Sequence, residues 1–384
     1  MNTSPLIQRI EAIVVDLPTI RAHKLAMTTM MRQTLVIVRL TCSDGLIGIG
    51  EATTIGGLAY GEQSPEGIKS AIDTYATPLL IGQDATRIGP AMRRLAASIQ
   101  GNSFAKSAIE TALLDAQGQR VGLPVHALLG GAVRDALPVL WTLASGDAAR
   151  DVDEALTLID ARRHNVFKLK IGSHPLAEDI AHVQAIRRGV GDDVLLTVDV
   201  NQAWDEPTAV TGIAALEAIG VVLIEQPVAR RNRRALQRLT ARFDVAIMAD
   251  EAVHDAVDAF ELAADAAADV YALKISQAGG LWPTLRAAAV ADAAGVGIYG
   301  GTLLEGTVGS IAAAHVFAAC PTLAWGTELF GPLLLKDDVV VSRPEYRDFE
   351  MRLPQVPGLG VQLDLDKLDF YRRDRASTPV AVTA

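Results

Sequence analysis

Cysteine is scarce in this chain. Cys42 and Cys320 are the only two in 384 residues, far apart and in apolar surroundings. A disulfide framework or a thiolate metal site needs more, so both read as buried core residues, and a reducing cytoplasm fits. Positive charge is also short: 35 basic residues stand against 45 acidic ones, for a formal net charge of −10. Duplex binding needs clustered cations to neutralise phosphates. The single dense basic run, Arg230, Arg231, Arg233 and Arg234 interrupted by Asn232, reads as a solvated helix start, and no nucleic-acid partner is expected. The opening MNTSPLIQRIEAIVVDLP has no apolar signal core, because Gln8, Arg9 and Glu11 break it. One stretch, 306–326, carries no formal charge. Gly309, His315 and Pro321 interrupt it and Glu305 and Glu328 bracket it, so a buried helix is expected there and no membrane span. No HExxH zinc motif and no Walker-type phosphate loop occurs. GIGEATTIGG at 48–57 lacks the GxGxxG spacing and does not open a βαβ unit, which argues against a dinucleotide.

Half of the residues are hydrophobic, enough for one large domain and a smaller one. The first third, 1–132, reads as α+β. Segments 6–16 and 34–42 alternate like antiparallel strands, and Ser43-Asp44-Gly45 turns into a third. Helices are expected near 64–80 and 83–99. Another starts at Ser103 as N-cap and carries the stripe Ala108, Ala112, Leu113 and Ala116 until Gly122-Leu123-Pro124 stops it. Within 133–342 the pattern changes to short apolar strands alternating with Ala-rich helices. Eight strands are expected, at 139–144, 166–171, 195–201, 221–227, 246–251, 270–276, 297–301 and 322–329. Repeated β-then-α units with buried strands imply right-handed parallel crossovers, and eight of them close a TIM-type (β/α) barrel. The last segment, 343–384, is polar again; it is expected to return to the N-terminal part and to end in a disordered tail, ASTPVAVTA.

A charge in a strand buried on both faces is expensive, yet six of the eight strands carry one near the C-terminal end: Lys168 and Lys170, Asp199, Glu225, Asp250, Lys274 and Glu328. Barrel active sites are built at that end. Any one such acid has a dull explanation as a helix cap; six charged ends in chain order do not. Asp199, Glu225 and Asp250 sit on consecutive strands, which lie under about 5 Å apart. Two like charges about 4 Å apart repel by about 4 kcal/mol at an effective dielectric near 20, so three crowded acids need a cation. Oxygen-only ligands point to Mg²⁺ or Mn²⁺. The histidines read as structural, with His164, His174 and His182 outside the strand ends and His23 the one worth testing. Lys168 and Lys170 alternate with Phe167, Leu169 and Ile171 and so share one face. Their mutual repulsion is expected to lower an amine pKa toward a value useful for proton transfer. Lys274 stands four strands further round, one strand from Asp250 and able to pair with it. A divalent ion that stabilises an enediolate, with amines on either side, spells proton transfer beside a carboxylate.

These residues resemble the muconate-lactonising subgroup of the enolase superfamily over about 6–371. The motifs are KLK at 168–170, DVNQAW at 199–204, IEQP at 224–227, ADE at 249–251, LKIS at 273–276 and GTELFGPLLL at 326–335. The resemblance implies an α+β capping domain closed over a modified barrel. It implies Asp199, Glu225 and Asp250 as ligands of one Mn²⁺ or Mg²⁺, and Lys170 as the acid/base with Lys168 beside it. Lys274 would stand on the opposite face, and Glu328 toward the substrate. PTIRAHKLAM (18–27) and GEATTIGGLAYG (50–61) resemble the subgroup's two substrate-covering loops. That assigns substrate contacts to His23, Lys24, Ile55, Tyr60, Asn201 and Phe330. Phe330 fits muconate better than chloromuconate. Gln277 departs from the pattern, standing where a second lysine is common. The implied reaction is reversible lactonisation of cis,cis-muconate, a small dicarboxylate, through an enolate, in aromatic catabolism by way of catechol. The implied assembly is a homo-octamer. Rival readings are a chloromuconate cycloisomerase, a dipeptide epimerase or an N-acylamino acid racemase. A non-catalytic carboxylate binder is a further rival, but a binder needs no proton-transfer amines.

Overall fold

A computed structural model describes residues 4–25 and 27–375; the expected disordered tail lies outside them. Three antiparallel strands open the chain: β1 (Ile7–Lys24), β2 (Thr29–Cys42) and β3 (Ile47–Thr53), in the order β1-β2-β3. β1 and β2 pair with Val14 opposite Val36 and Leu17 opposite Gln33. Both run longer than their alternating cores suggested. The two faces of this sheet serve different cores. Ala12, Val14, Val36 and Val38 join the main hydrophobic core. Val15, Leu17, Leu35 and Ile37 form a second cluster with Leu335, Val339 and Leu368 from the end of the chain. A strand covered on both faces needs apolar residues at consecutive positions, which is what VIV at 36–38 supplies.

The long helix of this region spans Ser103–Val121. Ala108, Ala112, Leu113 and Ala116 are all buried along it. Its N-cap is Asn102, in the left-handed region at φ +51°, and not Ser103, which is already helical. β3 lies directly on this helix. A Cβ at Gly48 would stand 1.9 Å from the Ala112 carbonyl oxygen, and one at Gly50 2.0 Å from that of Ala108. The glycines therefore let strand backbone meet helix backbone. Asp115 Oδ2 accepts from Ile49 N at 2.9 Å and Oδ1 from Leu359 N at 2.8 Å, tying helix, strand and C-terminal segment together. The helix expected at 64–80 is present with a π-helical stretch at Ala71–Ala76, and the next begins at Ile88, later than expected, because 82–87 form turns.

After a short strand β4 (Ala136–Pro138), seven parallel strands follow. They are β5 (Trp141–Leu143), β6 (Val166–Lys170), β7 (Leu195–Asp199), β8 (Leu223–Glu225), β9 (Ala246–Ala249), β10 (Val270–Leu273) and β11 (Gly297–Gly300), adjacent in chain order. The expected eighth strand shrinks to one residue. Thr327 bridges Gly300 on one side and Val139 on the other. That contact closes the barrel, with Gly300 N donating to the Gly326 carbonyl at 3.0 Å, Glu328 N to that of Gly300 at 2.8 Å and Leu140 N to that of Thr327 at 2.9 Å, while Gly326 just before it turns at φ +65°. The charge-free stretch holds a buried helix, Thr307–Ala319, and no helix among the described residues is long and apolar enough to cross a membrane.

The N-terminal sheet grips the barrel at that helix. Glu51 of β3 accepts from Gly306 N at 2.7 Å and Gly309 N at 2.9 Å. Gln33 of β2 donates to the carbonyls of Leu303 and Leu304 at 2.8 and 2.9 Å. The C-terminal segment adds β12 (Tyr346–Arg347) and β13 (Glu350–Arg352), with β13 pairing β4, and then reaches β1, where Arg372 bridges Val15 and Arg373 pairs Asp16 at 2.7 Å.

Gly50→Ala must push β3 off its helix and is expected to cost about 3 kcal/mol, the upper range for overpacking. Gly45→Ala, with φ +86° but no atom within 4 Å of a Cβ, should cost only the backbone strain of about 1–2 kcal/mol. Urea midpoints at constant m-value measure both.

Candidate active site

The barrel register brings the charged strand ends together. Lys170 is the Cα partner of Asp199, and Asp199 of Glu225. Glu225 is paired with Met248, so Asp250, two residues on, points to the same face. Lys168, one pleat below Lys170, reaches Glu225 Oε2 at 2.5 Å and Glu328 Oε2 at 2.7 Å, with its Nζ 4.8 Å from the centre of the Tyr299 ring. Lys170 Nζ stands 2.5 Å from Asp199 Oδ2 and 3.4 Å from Asn201 Oδ1. Across the barrel Lys274 Nζ is bonded to Asp250 Oδ1.

The expected lowering of the Lys170 pKa does not appear. Burial and the Lys168 charge both pull it down, but the carboxylates of Asp199, Glu328 and Glu225 outweigh them and hold it above the ordinary lysine value. Lys168 cannot discharge its neighbour because its own charge is spent on two acids. Burial would strip that charge; Glu225 and Glu328 reverse the effect and hold the ammonium well above its usual range. Burial raises Glu328 while Lys168 and Lys170 lower it, and the lysines win.

The loops after the strands complete the chamber. Asn201 and Gln202 both adopt positive φ directly after β7, and Gln226 does so after β8. The turn lets Asn201 N donate to Asp199 Oδ1 at 2.8 Å while its side-chain amide reaches Glu251 Oε1 at 3.2 Å. Ile55 and His23 line the inner chamber with Leu25, Thr302 and Leu304. His23 is fully buried with neither ring nitrogen hydrogen-bonded. Tyr60 plugs the chamber: its hydroxyl donates to Asp250 Oδ2 at 2.9 Å and accepts from Lys274 Nζ at 2.8 Å. Only about 20 Å³ remains inside. Outside Tyr60 lies a cavity of about 640 Å³, lined also by Gln202, Arg230, Glu251 and Gln277. Gln277 Nε2 is 3.4 Å from the Tyr60 hydroxyl. Two residues stand apart from the chamber. Lys24 is exposed and lies against Gly146 in a neighbouring cavity. Phe330 is buried behind the chamber, its ring 4.9 Å from Trp141 and 6.4 Å from His23.

Three residues at the site escaped the sequence reading. Gln226 accepts from Asp250 N at 2.9 Å and Ala252 N at 3.1 Å, and so fixes the turn that carries Asp250. Thr142 donates to Glu328 Oε1 at 2.9 Å. Glu251 is buried with Oε2 unpartnered. The available signal was a polar residue adjoining a buried strand, inside IEQP and ADE.

A divalent ion fits these residues. As they stand, no three His, Cys, Asp or Glu side chains among the described residues converge as a ready ligand set, because lysine ammoniums and the Tyr60 hydroxyl occupy the carboxylate oxygens. The balance of charge still calls for a cation. Asp199, Glu225, Asp250, Glu251 and Glu328 face Lys168, Lys170 and Lys274, leaving two negative charges in excess when all are ionised. Burial, then Asp250 and Asp199, push Glu251 up to about 8, and burial and Asp199 push Glu225 well up. Carboxylate oxygens are the donors Mg²⁺ and Mn²⁺ prefer.

A closed parallel barrel with acids on three consecutive strand ends and amines facing each other across them defines an enolising barrel enzyme. Residues 9–130 match the mandelate racemase / muconate lactonizing enzyme N-terminal domain, and 150–367 match the enolase C-terminal domain-like family. Muconate cycloisomerase 1 of Pseudomonas putida is 57% identical over 373 residues, 97% of this chain and 100% of the relative. A chloromuconate cycloisomerase of Pseudomonas sp. (strain P51) is 47% identical over 96% of this chain and 99% of its own. The crystal structure of muconate lactonizing enzyme from Pseudomonas fluorescens complexed with muconolactone gives a TM-score of 0.96 at 57% identity, covering 97% of this chain and 100% of that one. The chain belongs to the mandelate racemase / muconate lactonizing enzyme family of the enolase superfamily.

His23 makes acid stability a test of this packing. Burial, then the charges of Arg21 and Lys170, lower its pKa from 6.5 to about 3. Below pH 6.5 the unfolded chain binds a proton that the folded one refuses, so this contribution is lost as pH falls toward 3. His23→Leu is expected to flatten the acid limb by a slope approaching about 1.4 kcal/mol per pH unit, read from urea unfolding between pH 6 and 4. An unchanged slope would show that the ring protonates in the folded state.

Proposed function

We propose that the chain is a muconate cycloisomerase, which closes cis,cis-muconate reversibly to muconolactone through an enolate. One observation carries the reading: Lys170 and Lys274 face each other across acids from consecutive strands, in a chain 57% identical to a muconate cycloisomerase along its whole length. In this reading Asp199, Glu225 and Asp250 hold the metal, Mn²⁺ or Mg²⁺, which supplies positive charge to the substrate carboxylate whose enediolate forms.

The chain's own residues do the rest. Lys170 delivers a proton to the carbon beside that carboxylate during lactonisation and removes it in reverse. Asn201, 3.4 Å from its Nζ, limits where the amine can swing. Lys168, locked between Glu225 and Glu328, keeps a fixed positive charge below the reacting carbon. Lys274 holds the opposite face and is positioned by Asp250. Ile55, Leu304 and the neutral His23 exclude water, which strengthens every charge interaction inside. Tyr60 must leave for substrate to enter, since about 20 Å³ cannot hold a six-carbon dicarboxylate.

The assay adds Mn²⁺ and cis,cis-muconate to the purified protein and follows loss of the diene's ultraviolet absorbance. Lys170→Ala should bind muconolactone as before while turnover falls by about 10²–10⁴, the usual share of a general acid. Turnover surviving in that variant would reassign the acid. Inactivity on muconate, with dipeptide epimerisation or N-acylamino acid racemisation in its place, would move the enzyme to another branch of the family.

A further inference from the structure

Lactonisation takes up a proton. The substrate is a dianion; one carboxylate becomes a ring ester, and the carbon beside the other gains hydrogen, so the product is a monoanion. One proton must come from solvent in each turnover. The Lys170 ammonium gives an N–H proton to carbon, where the enolate electron pair becomes the C–H bond, and the neutral amine left behind must be reprotonated. On this reading of the site, the chain needs a path from water to Lys170 once in each turnover, and a path that stays open while lactone fills the chamber lets the amine exchange before the reverse step.

The structure gives that access to one of the three amines. The Lys170 side chain is 12% exposed, against 3% for Lys274 and 0% for Lys168. Lys274 is covered by Tyr60, and Lys168 by Glu225, Glu328 and Tyr299. Lys170 also lines a flank cavity of about 280 Å³. Among the described residues, Leu25 and Lys170 alone line both this cavity and the inner chamber. Leu25 has no side-chain polar atom, so of the two residues shared by both cavities only Lys170 carries a side-chain group able to hold a proton.

The walls suit protons better than substrate. Asp151, Glu178 and Asp179 line the cavity with Lys24, Lys170, His174 and His182, so with neutral imidazoles it holds three acids to two lysines and has no cationic surplus to draw in a dianion. Asp151 is fully buried; its Oδ1 accepts from Ser145 N at 3.0 Å, while Oδ2 accepts no hydrogen bond and stands 3.6 Å from His182 Nε2. A substrate-sized space lies elsewhere, in the larger cavity beyond Tyr60. We propose that the flank cavity is a proton port, through which Lys170 exchanges its protons with solvent separately from the route taken by substrate.

The test runs the metal-loaded protein on muconolactone in D₂O and measures two things: deuterium in the recovered lactone, and the extent of ring opening. Their ratio reports how often the Lys170 proton is swapped with solvent before it returns to carbon. Ser173 is exposed on the cavity wall and outside the chamber. Ser173→Trp should lower the ratio several-fold with KM little changed, and Ser173→Ala should leave it alone. His182→Trp plugs the same cavity from the helix Leu176–Val190, where Ser173 lies in the loop before it, and gives a second reading that does not depend on how the first variant folds. Leu58→Trp, on the rim of the larger cavity, should raise KM and leave the ratio unchanged. An unchanged ratio in both plugged variants overturns the port, and so does a raised KM with an unchanged ratio, which would make the cavity a substrate entrance. If the unmodified protein neither opens nor labels the lactone, the functional reading itself falls and takes the port with it; that control separates the two failures.

Discussion

Burial of charge at the barrel's strand ends is the constraint around which the rest of the molecule is arranged. Asp199, Glu225, Asp250 and Glu328 are each nearly inaccessible, as are Lys168 and Lys274. Isolated, any one of them would cost several kcal/mol and would discharge instead. They survive because the ladder sets them alternately: Lys170 beside Asp199, Lys168 between Glu225 and Glu328, and Lys274 against Asp250. Neutralisation is incomplete, and the raised pKa values fall on Glu225 and Glu251. The surplus lies on the side where three acids succeed one another around the barrel. Such an arrangement is a poor device for stability and a good one for holding a cation against an anionic substrate.

Keeping water from these charges is the task of the N-terminal sheet, and it explains why that sheet is buried on both faces. Glu51 and Gln33 fasten it to the segment 303–309. This segment includes Leu304, which lines the chamber at a strained φ of +63°. A leucine in the left-handed region persists only when its surroundings over-determine it. Gln33 does so by bonding its carbonyl and that of Leu303. The sheet thus closes the chamber and also shapes its wall.

Much of this was legible in the sequence because charge in a buried strand is visible without coordinates. KLK, DVN, IEQ, ADE, LKIS and TEL announce themselves by placing ions where apolar residues are expected. Neutral partners do not. Thr142 and Gln226 orient Glu328 and Asp250, yet a threonine in VLWTLA breaks no rule. The Lys170 pKa had the wrong sign for a related reason: sequence shows the repelling lysine two residues away on the same strand, but not how closely Asp199 and Glu328 approach from other strands. The eighth strand is shorter than TLAWGTEL suggests: only Thr327 bridges its neighbours, and Gly326 before it is at positive φ, a backbone choice that an apolar run does not display.

Tyr60 links the covering loop to the chemistry. It belongs to the irregular segment after β3, where turns and bends replace ladder hydrogen bonds, so its movement breaks little regular structure. In the closed form its hydroxyl bonds both Asp250 and Lys274, and its ring lies 5.1 Å from the Lys274 ammonium. On the proposed function, a dicarboxylate enters only once the loop withdraws that hydroxyl, which would free a carboxylate oxygen of Asp250 and one donor direction of Lys274 in the same movement. Substrate entry and exposure of the far-side amine are then one event. Lys170 is different, since no loop tyrosine bonds it and its partners, Asp199 and Asn201, belong to the barrel. The two amines therefore answer to different parts of the protein: Lys274 to the loop that carries Tyr60, Lys170 to the residues at and just beyond the end of β7.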